Sequence, residues 1–323
     1  MCTAISVKLN SHYFGRNLDY EHTFGEKLVV TPRRYVFNFK NGEKSDNHYA
    51  IIGIGICEEN YPLYFDACNE KGLCIAGLNF PGNAVYNNEK PGVKNIASFE
   101  LIPRVLCSCK NTGEAEKLFK EINITNAAFN EKLMPTPLHW IVADKDKTLT
   151  VEQTADGIRV FDNQIGVLTN SPPFDMQIFN LTNYMKVSAN QAENAFSQKV
   201  NLLPYSNGMG GMGLPGDLSS ASRFVRAAFT KMNADFGIGE CEAVNRFFHV
   251  LYSVYQQKGC VRTAVGLEKT NYSCCYNANE GICYYTTYDN TTINAVDINR
   301  ADVEGENLTM YNMIERGEFN IQN

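Results

Sequence analysis

Two runs of the chain, YAIIGIGI at 49–56 and LCIAGLNF at 73–80, are apolar without alternation. Uninterrupted apolar runs of this length predict strands buried on both faces. A sheet made of such strands needs a cover on each side, and that constrains the fold more than any other feature. The rest of the first third reads as strands too. AISVKL, HYFGRNLDY and KLVVTPRRYVF are rich in β-formers and bounded by Gly, Asn, Asp or Pro. Gly15 sits inside HYFGRNLDY, where a missing side chain suits a bulge or a close backbone approach.

Helical spacing follows in SFELIPRVLCSC, with Ser98 as the expected cap and Pro103 as a kink or early stop, and in GEAEKLFKEI, capped by Thr112. LHWIVADK, TLTVEQT, IRVFDN and IGVLTN return to strands, with turn residues between them. LSSASRFVRAAFTKM, capped by Ser219 or Ser220, and AVNRFFHVLYSVYQQ are helical; Phe247, Leu251 and Val254 form one stripe of the second. SCCYNANEGICYYTTYDN and TINAVDI end the chain as hairpin-like strands. Strands, helices, strands, helices, strands is not βαβ alternation, which argues against a doubly wound parallel sheet. The order predicts an α+β fold of two sheets covered by helix pairs. No linker or repeat divides the chain, so one domain over residues 1–323 is expected.

Composition removes several function classes. The net charge of −6 is mild and dispersed, with no Lys/Arg block, so neither nucleic acid nor an anionic membrane is an expected partner. No segment reaches the roughly 20 apolar residues that cross a bilayer. MCTAISVKLNSH lacks the apolar core of a secretory signal, so a cytoplasmic location is expected. The eleven cysteines are odd in number and include no CxxC; in a reducing compartment they should be free thiols, mostly buried. Cys107-x-Cys109 and five scattered histidines give no zinc-ligand spacing, and no metal is expected. GMGGMG at 208–213 matches a dinucleotide-binding pattern, but no buried strand precedes it and Pro215 and Gly216 prevent an immediate helix. His139 beside Trp140, the only tryptophan, reads as a core pair on a strand, and no G-x-S-x-G elbow exists.

Cys2 stands apart from the other ten. Removal of Met1 would leave a thiol and an α-amine on one residue, a nucleophile and a base with no need for histidine. A free α-amine ordinarily titrates near ~7.7–8.0, so much of it is an available base near neutral pH. GRNLDY places Arg16 and Asp19 on a strand able to pair with AISVKL. An arginine beside Cys2 would favour its thiolate, and an aspartate would hold its ammonium. Such charges also decorate ordinary surface strands. GVLTNSPPF ends an apolar strand at Asn170, whose amide either caps the turn or donates to an oxyanion.

Taken together, these stretches resemble the choloylglycine hydrolase family, which contains bile salt hydrolases and penicillin V acylases. The resemblance rests on MCT, FGRNLDYE, NEKGLCIAGLNFPG, LHWIVAD, GVLTNSPPFD, GLPGDLSSASRFVRAAF and CYYTTYDN, in family order over nearly the whole chain. It implies the N-terminal-nucleophile hydrolase fold, an αββα sandwich of two mainly antiparallel sheets between helix layers. It also implies that Cys2, freed of Met1, is the nucleophile flanked by Arg16 and Asp19. Asn79 and Asn170 would line the oxyanion hole, and Arg223 would complete the charge network around the thiol. No cofactor is implied. Asn79 resembles the bile salt branch, where penicillin V acylases typically carry tyrosine. Leu18, Phe65, Leu133 and Met134 fall in regions that resemble its substrate pocket. Conjugated bile acids of the glycocholate and taurocholate type are then the expected substrates, and a homotetramer the expected assembly, with Gly208 to Asp217 resembling an assembly loop.

Overall fold

The computed structural model describes residues 1–323. Two antiparallel sheets stack face to face. The first runs, in spatial order, Val167–Leu168, Cys2–Lys8, His12–Tyr20, Leu267–Asn277, Ile282–Thr287 and Asn290–Asp297, with Val261–Arg262 added to Leu267–Asn277. The second runs Gly157–Asp162, Thr148–Thr154, Leu138–Ala143, Cys74–Asn79, Tyr61–Asn69, Ile51–Glu58, Lys27–Thr31 and Thr309–Asn312. A small parallel pair, Lys94–Ala97 with Ile122–Thr125, lies apart.

Side-chain alternation along each strand sorts the apolar residues into layers. On the second sheet, Leu28, Val30, Ile52, Ala76 and Ile141 enter the core shared with the first sheet. Their neighbours Val29, Ile51, Ile75, Trp140 and Val142 enter another core. That core is closed by helices α1 (Leu101–Ser108) and α2 (Thr112–Glu121), through Leu101, Val105 and Phe119. The apolar runs therefore do form strands wet on neither face, and Ile51 to Ile54 and Cys74 to Leu78 are buried without a break. After α3 (Phe174–Leu181), helices α4 (Ser220–Asn233) and α5 (Glu240–Tyr252) cover the outer face of the first sheet with Phe224, Ala227, Phe247 and Leu251. The result is the expected α+β sandwich, in the layer order αββα. Burying one such side chain contributes ~1.5–3 kcal/mol, so each layer is held by many modest terms.

Gly15 is required by a close approach: a Cβ there would lie 1.9 Å from the Cys274 carbonyl oxygen on the adjacent strand. Several local expectations need correction. A 3₁₀ turn, Ser98–Glu100, precedes α1, and Ala97 rather than Ser98 occupies the cap position. Pro103 lies in the first turn of α1, where its missing N–H would have had no intrahelical partner. Asn111, not Thr112, caps α2 by accepting from the Glu114 N–H at 2.9 Å. Thr112 donates its hydroxyl to Asp144 instead, at 2.8 Å. Helix α3 starts directly after Pro172 and Pro173, a pair that reads as a turn. The cysteines are not all free thiols: Cys68 and Cys74 are directly opposed on adjacent strands and form a disulfide. No helix is long and apolar enough to cross a membrane.

Candidate active site

Cys2–Lys8 and His12–Tyr20 form an antiparallel hairpin in which Cys2 faces Leu18 and Ala4 faces Arg16. Cross-strand partners share a face of the sheet, so Cys2, Leu18 and Arg16 point toward the second sheet. Thr3, Asn17 and Asp19 point the other way, toward α4 and α5. The two faces of this hairpin supply the two halves of the site.

On the inner face, the fully buried Arg16 donates from Nη1 to the Gly77 carbonyl at 2.6 Å, and Phe65 O lies 3.4 Å away. Its Nε lies 4.0 Å from Asp66 Oδ2, and its Nη2 has no partner. Asp66 is fixed in turn by the hydroxyls of Tyr272 at 2.5 Å and Tyr276 at 2.6 Å. Burial opposes the charge on Arg16, but Cys2, Tyr272 and Asp66 around it hold its pKa above the ordinary value. Burial pushes the Asp66 carboxyl up, against the pull of Arg16 and the two hydroxyls. Leu18 and Phe65 pack in the same apolar cluster as Cys2. Leu133 and Met134 do not: Met134 is exposed, and neither residue joins an apolar core cluster.

On the outer face, Arg223 of α4 is also fully buried and is bonded on every side. Its Nη1 donates to Cys2 O at 2.5 Å and Thr3 Oγ1 at 2.6 Å, its Nη2 to Asn170 Oδ1 at 2.7 Å, and its Nε to Leu218 O at 3.0 Å. Burial lowers the Arg223 pKa, and Asp19, Cys2 and Glu268 counter that. Asp19 accepts the Thr270 hydroxyl at 2.6 Å, and its second carboxylate oxygen is unpartnered. Burial raises the Asp19 pKa, while Arg223, the terminal ammonium and Thr270 pull it down.

Asn170 joins the two halves. Its Oδ1 accepts from the Cys2 N–H at 2.9 Å and from Arg223, while its Nδ2 donates to Asn79 O at 2.7 Å. The amide thus has one N–H left for a ligand. Asn79 meets Asn170 through its backbone carbonyl; its side chain makes no hydrogen bond within the chain and lies on the strand face of Ile75, the helix side of the sheet. Met1 is attached, and its ammonium donates to Asp19 O at 2.6 Å and pairs with the buried Glu268. The Cys2 nitrogen is therefore a peptide N–H in this form. The structure thus brings Cys2, Arg16, Asp19, Asn79, Asn170, Arg223, Leu18 and Phe65 together, and leaves Leu133 and Met134 outside this cluster. It adds Thr3, Asp66, Glu268 and Thr270. Asp66 had a signal in the sequence: it is a lone carboxylate inside the apolar strand YPLYFDACN.

The family model for linear amide C–N hydrolases of the choloylglycine hydrolase family matches residues 2–311. The chain belongs to the choloylglycine hydrolase family. As a member, it is an enzyme acting on linear amide C–N bonds. It is 48% identical over 320 residues to the bile salt hydrolase/transferase of Lactiplantibacillus plantarum, covering 99% of each chain. It is 37% identical over 317 residues to the bile salt hydrolase/transferase of Clostridium perfringens, covering 96% of each. A crystal structure of the conjugated bile acid hydrolase of C. perfringens superposes with a TM-score of 0.93 at 35% identity, over 100% of both chains. Penicillin V acylase of Agrobacterium tumefaciens, 18% identical over 98% of this chain and 95% of its own, shares the fold at a TM-score of 0.77.

Proposed function

We propose that this choloylglycine hydrolase deconjugates bile salts, cleaving the amide between a bile acid and glycine or taurine. The observation that carries the reading is Cys2 set between two buried guanidinium groups, with the Asn170 amide tying Cys2 to Arg223 and Asn79.

Once Met1 is removed, the Cys2 thiolate attacks the amide carbonyl and the C=O electron pair moves onto oxygen. Asn79 and the remaining N–H of Asn170 stabilise that oxyanion; losing one such donor typically costs ~10²–10³ in rate. The Cys2 ammonium, held by Asp19, protonates the leaving nitrogen as the C–N bond breaks. Glycine or taurine departs and a thioester remains. Water loses a proton to the amine, attacks the thioester and frees the bile acid and the thiol. Arg16 supplies the positive charge on the thiolate side. Leu18 and Phe65 form the apolar wall for the steroid, and Leu133 and Met134 belong to the loop region assigned to the same substrate pocket. No metal or cofactor takes part. The reading includes a cytoplasmic homotetramer of single-domain chains (residues 1–323) assembled through Gly208 to Asp217, with neither nucleic acid nor membrane as a partner.

The experiment is turnover of glycocholate and taurocholate by the parent, Cys2→Ala and Cys2→Ser, with penicillin V run in parallel and intact mass recorded. The reading expects turnover of bile salts by the parent alone, in protein lacking Met1. Active protein that retains Met1, or a Cys2→Ala enzyme at parental rate, overturns the scheme. Preference for penicillin V assigns the acylase branch instead. The L. plantarum relative is named a transferase as well, so an added amine tests whether the thioester also passes its acyl group to nitrogen.

A further inference from the structure

We infer that His139 and Glu152 form a positioning pair that sets the two amide-bearing segments beside Cys2. The inference rests on the hydrolase reading above. Both residues are fully buried and lie on adjacent strands of the second sheet. The His139 ring stacks on Phe80, with centroids 4.2 Å apart and planes 7° from parallel. Phe80 follows Asn79. The Nε2 of His139 lies 2.9 Å from the Thr169 carbonyl oxygen, which can only accept. Thr169 precedes Asn170. The Nδ1 lies 3.2 Å from Glu152 Oε1, and that oxygen also accepts from the Phe174 N–H at 2.9 Å. Phe174 opens α3.

One imidazole therefore grips the chain next to Asn79, and with Glu152 it holds both ends of the segment from Thr169 to Phe174 that carries Asn170. A histidine kept for packing alone needs no such placement. The bond to Thr169 O requires a proton on Nε2, and the Nδ1–Oε1 contact requires a second proton held between His139 and Glu152; the two bonds together orient the ring. Asn170 donates to the Asn79 backbone carbonyl at 2.7 Å, so the two segments are tied together and a shift of either moves the Asn170 amide relative to the thiol. His139 and Glu152 make no hydrogen bond to Cys2, so they act through the asparagines. A displacement near 1 Å at such groups is enough to cost about 10²-fold in rate.

The test uses the full chain, freed of Met1, as parent, His139→Phe, His139→Gln and Glu152→Gln. His139→Phe keeps a ring against Phe80 but loses both polar contacts. kcat and KM are measured on glycocholate, and the Cys2 thiol is timed by iodoacetamide alkylation. The expected result for His139→Phe is a kcat loss of ~10–10²-fold with little change in KM or in alkylation rate. His139→Gln, whose amide can still donate to Thr169 O, should recover part of kcat. A folded His139→Phe enzyme with parental kcat overturns the inference, as does a parallel loss of kcat and alkylation, which would mean general collapse of the site. If His139→Phe does not fold, Glu152→Gln decides by the same two criteria. An inactive parent overturns the hydrolase reading and this inference with it; an active parent whose variants keep its kcat overturns the inference alone.

Discussion

Arg16 and Arg223 are both sealed from water and approach Cys2 from opposite faces of one strand pair, yet the chain holds them differently. Arg223 spends its guanidinium on structure. Each of its three nitrogens is engaged, by Cys2 O, Thr3, Asn170 and Leu218, so it works as a clamp between α4 and the nucleophile strand. Arg16 is bonded to backbone carbonyls, has its carboxylate partner at 4.0 Å, and keeps Nη2 unpartnered. A buried donor without a partner costs ~1–3 kcal/mol. A fold that tolerates this beside its nucleophile is holding charge ready for something that arrives later, such as a thiolate or a substrate. The difference separates a residue that builds the site from one that acts in it.

The largest expected effect comes from breaking the clamp. Arg223→Leu removes one donor from Asn170 Oδ1, leaves Thr3 and the Cys2 carbonyl without the guanidinium, and takes from Asp19 the cation that most lowers its pKa. Removing one member of a buried charged network costs ~3–5 kcal/mol, so a marked fall in melting temperature should accompany near-complete loss of turnover. Differential scanning calorimetry beside a glycocholate assay reads both. Parental stability in this variant would remove the distinction between the two arginines.

Arg16→Leu should separate activity from stability. The loss expected in kcat/KM is ~10²–10³-fold, the scale of one preorganised electrostatic group. Iodoacetamide should alkylate Cys2 more slowly, because the adjacent positive charge has gone. The melting temperature should fall less than for Arg223→Leu, because loss of Arg16 leaves fewer groups unbonded: only backbone carbonyls, and a carboxyl that keeps the hydroxyls of Tyr272 and Tyr276. A thermal penalty equal to that of Arg223→Leu would make Arg16 a clamp as well.

Asp66→Asn sharpens the same contrast at smaller scale. It keeps the shape beneath Arg16 and removes the charge that orients it. The expected cost is about tenfold in kcat, equivalent to a charge-assisted contact of ~1.5 kcal/mol. If kcat is unchanged, the carbonyls of Gly77 and Phe65 alone position Arg16.

Much of this site was legible because it is local. Cys2, Arg16 and Asp19 fall within one hairpin, and the short connection between AISVKL and HYFGRNLDY was enough to predict the pairing that joins them. The doubly buried strands were legible because their apolar runs have no polar face. The parts that were not legible depend on register between distant segments. Asp66 becomes the partner of Arg16 only when Tyr272 and Tyr276, about 200 residues later, cross above it. Thr270 and Glu268 reach Asp19 and the amino terminus from that same strand. Asn170 and Arg223 gained meaning from the resemblance; their bond to each other spans 53 residues and leaves no periodic trace. Helix α3 was hidden by the prolines that start it. The Cys68–Cys74 bond has a local trace in the sequence, the NEKG turn that sets the two cysteines opposite each other; the odd cysteine count and the lack of a CxxC carry no information about that register.

The smallest effect on turnover should come from the far end of the hairpin, and it tests whether the two arginines act locally. His12 pairs with Lys8, while Cys2 pairs with Leu18 six residues further along, ~20 Å away at strand spacing. Its ring meets the Ser6 hydroxyl at 2.9 Å, and burial lowers its pKa to about 4, with Asp144 raising it and Lys8 lowering it. An unfolded histidine titrates near ~6.5, so between pH 6.5 and 4 the unfolded chain binds the extra proton and the folded one does not. Stability contributed by the neutral ring is present above that window and lost as pH falls through it, by about 3 kcal/mol in all. His12→Gln lacks this titration, so its deficit in unfolding free energy relative to the parent should shrink, or reverse, between pH 7 and pH 4 in urea melts. Its kcat on glycocholate at pH 7 should stay at the parental value. A gap in stability that does not change with pH would refute the account of His12. A fall in kcat would mean that disturbance travels along the hairpin, and the losses at Arg16 and Arg223 would then no longer report on the two faces of the site separately.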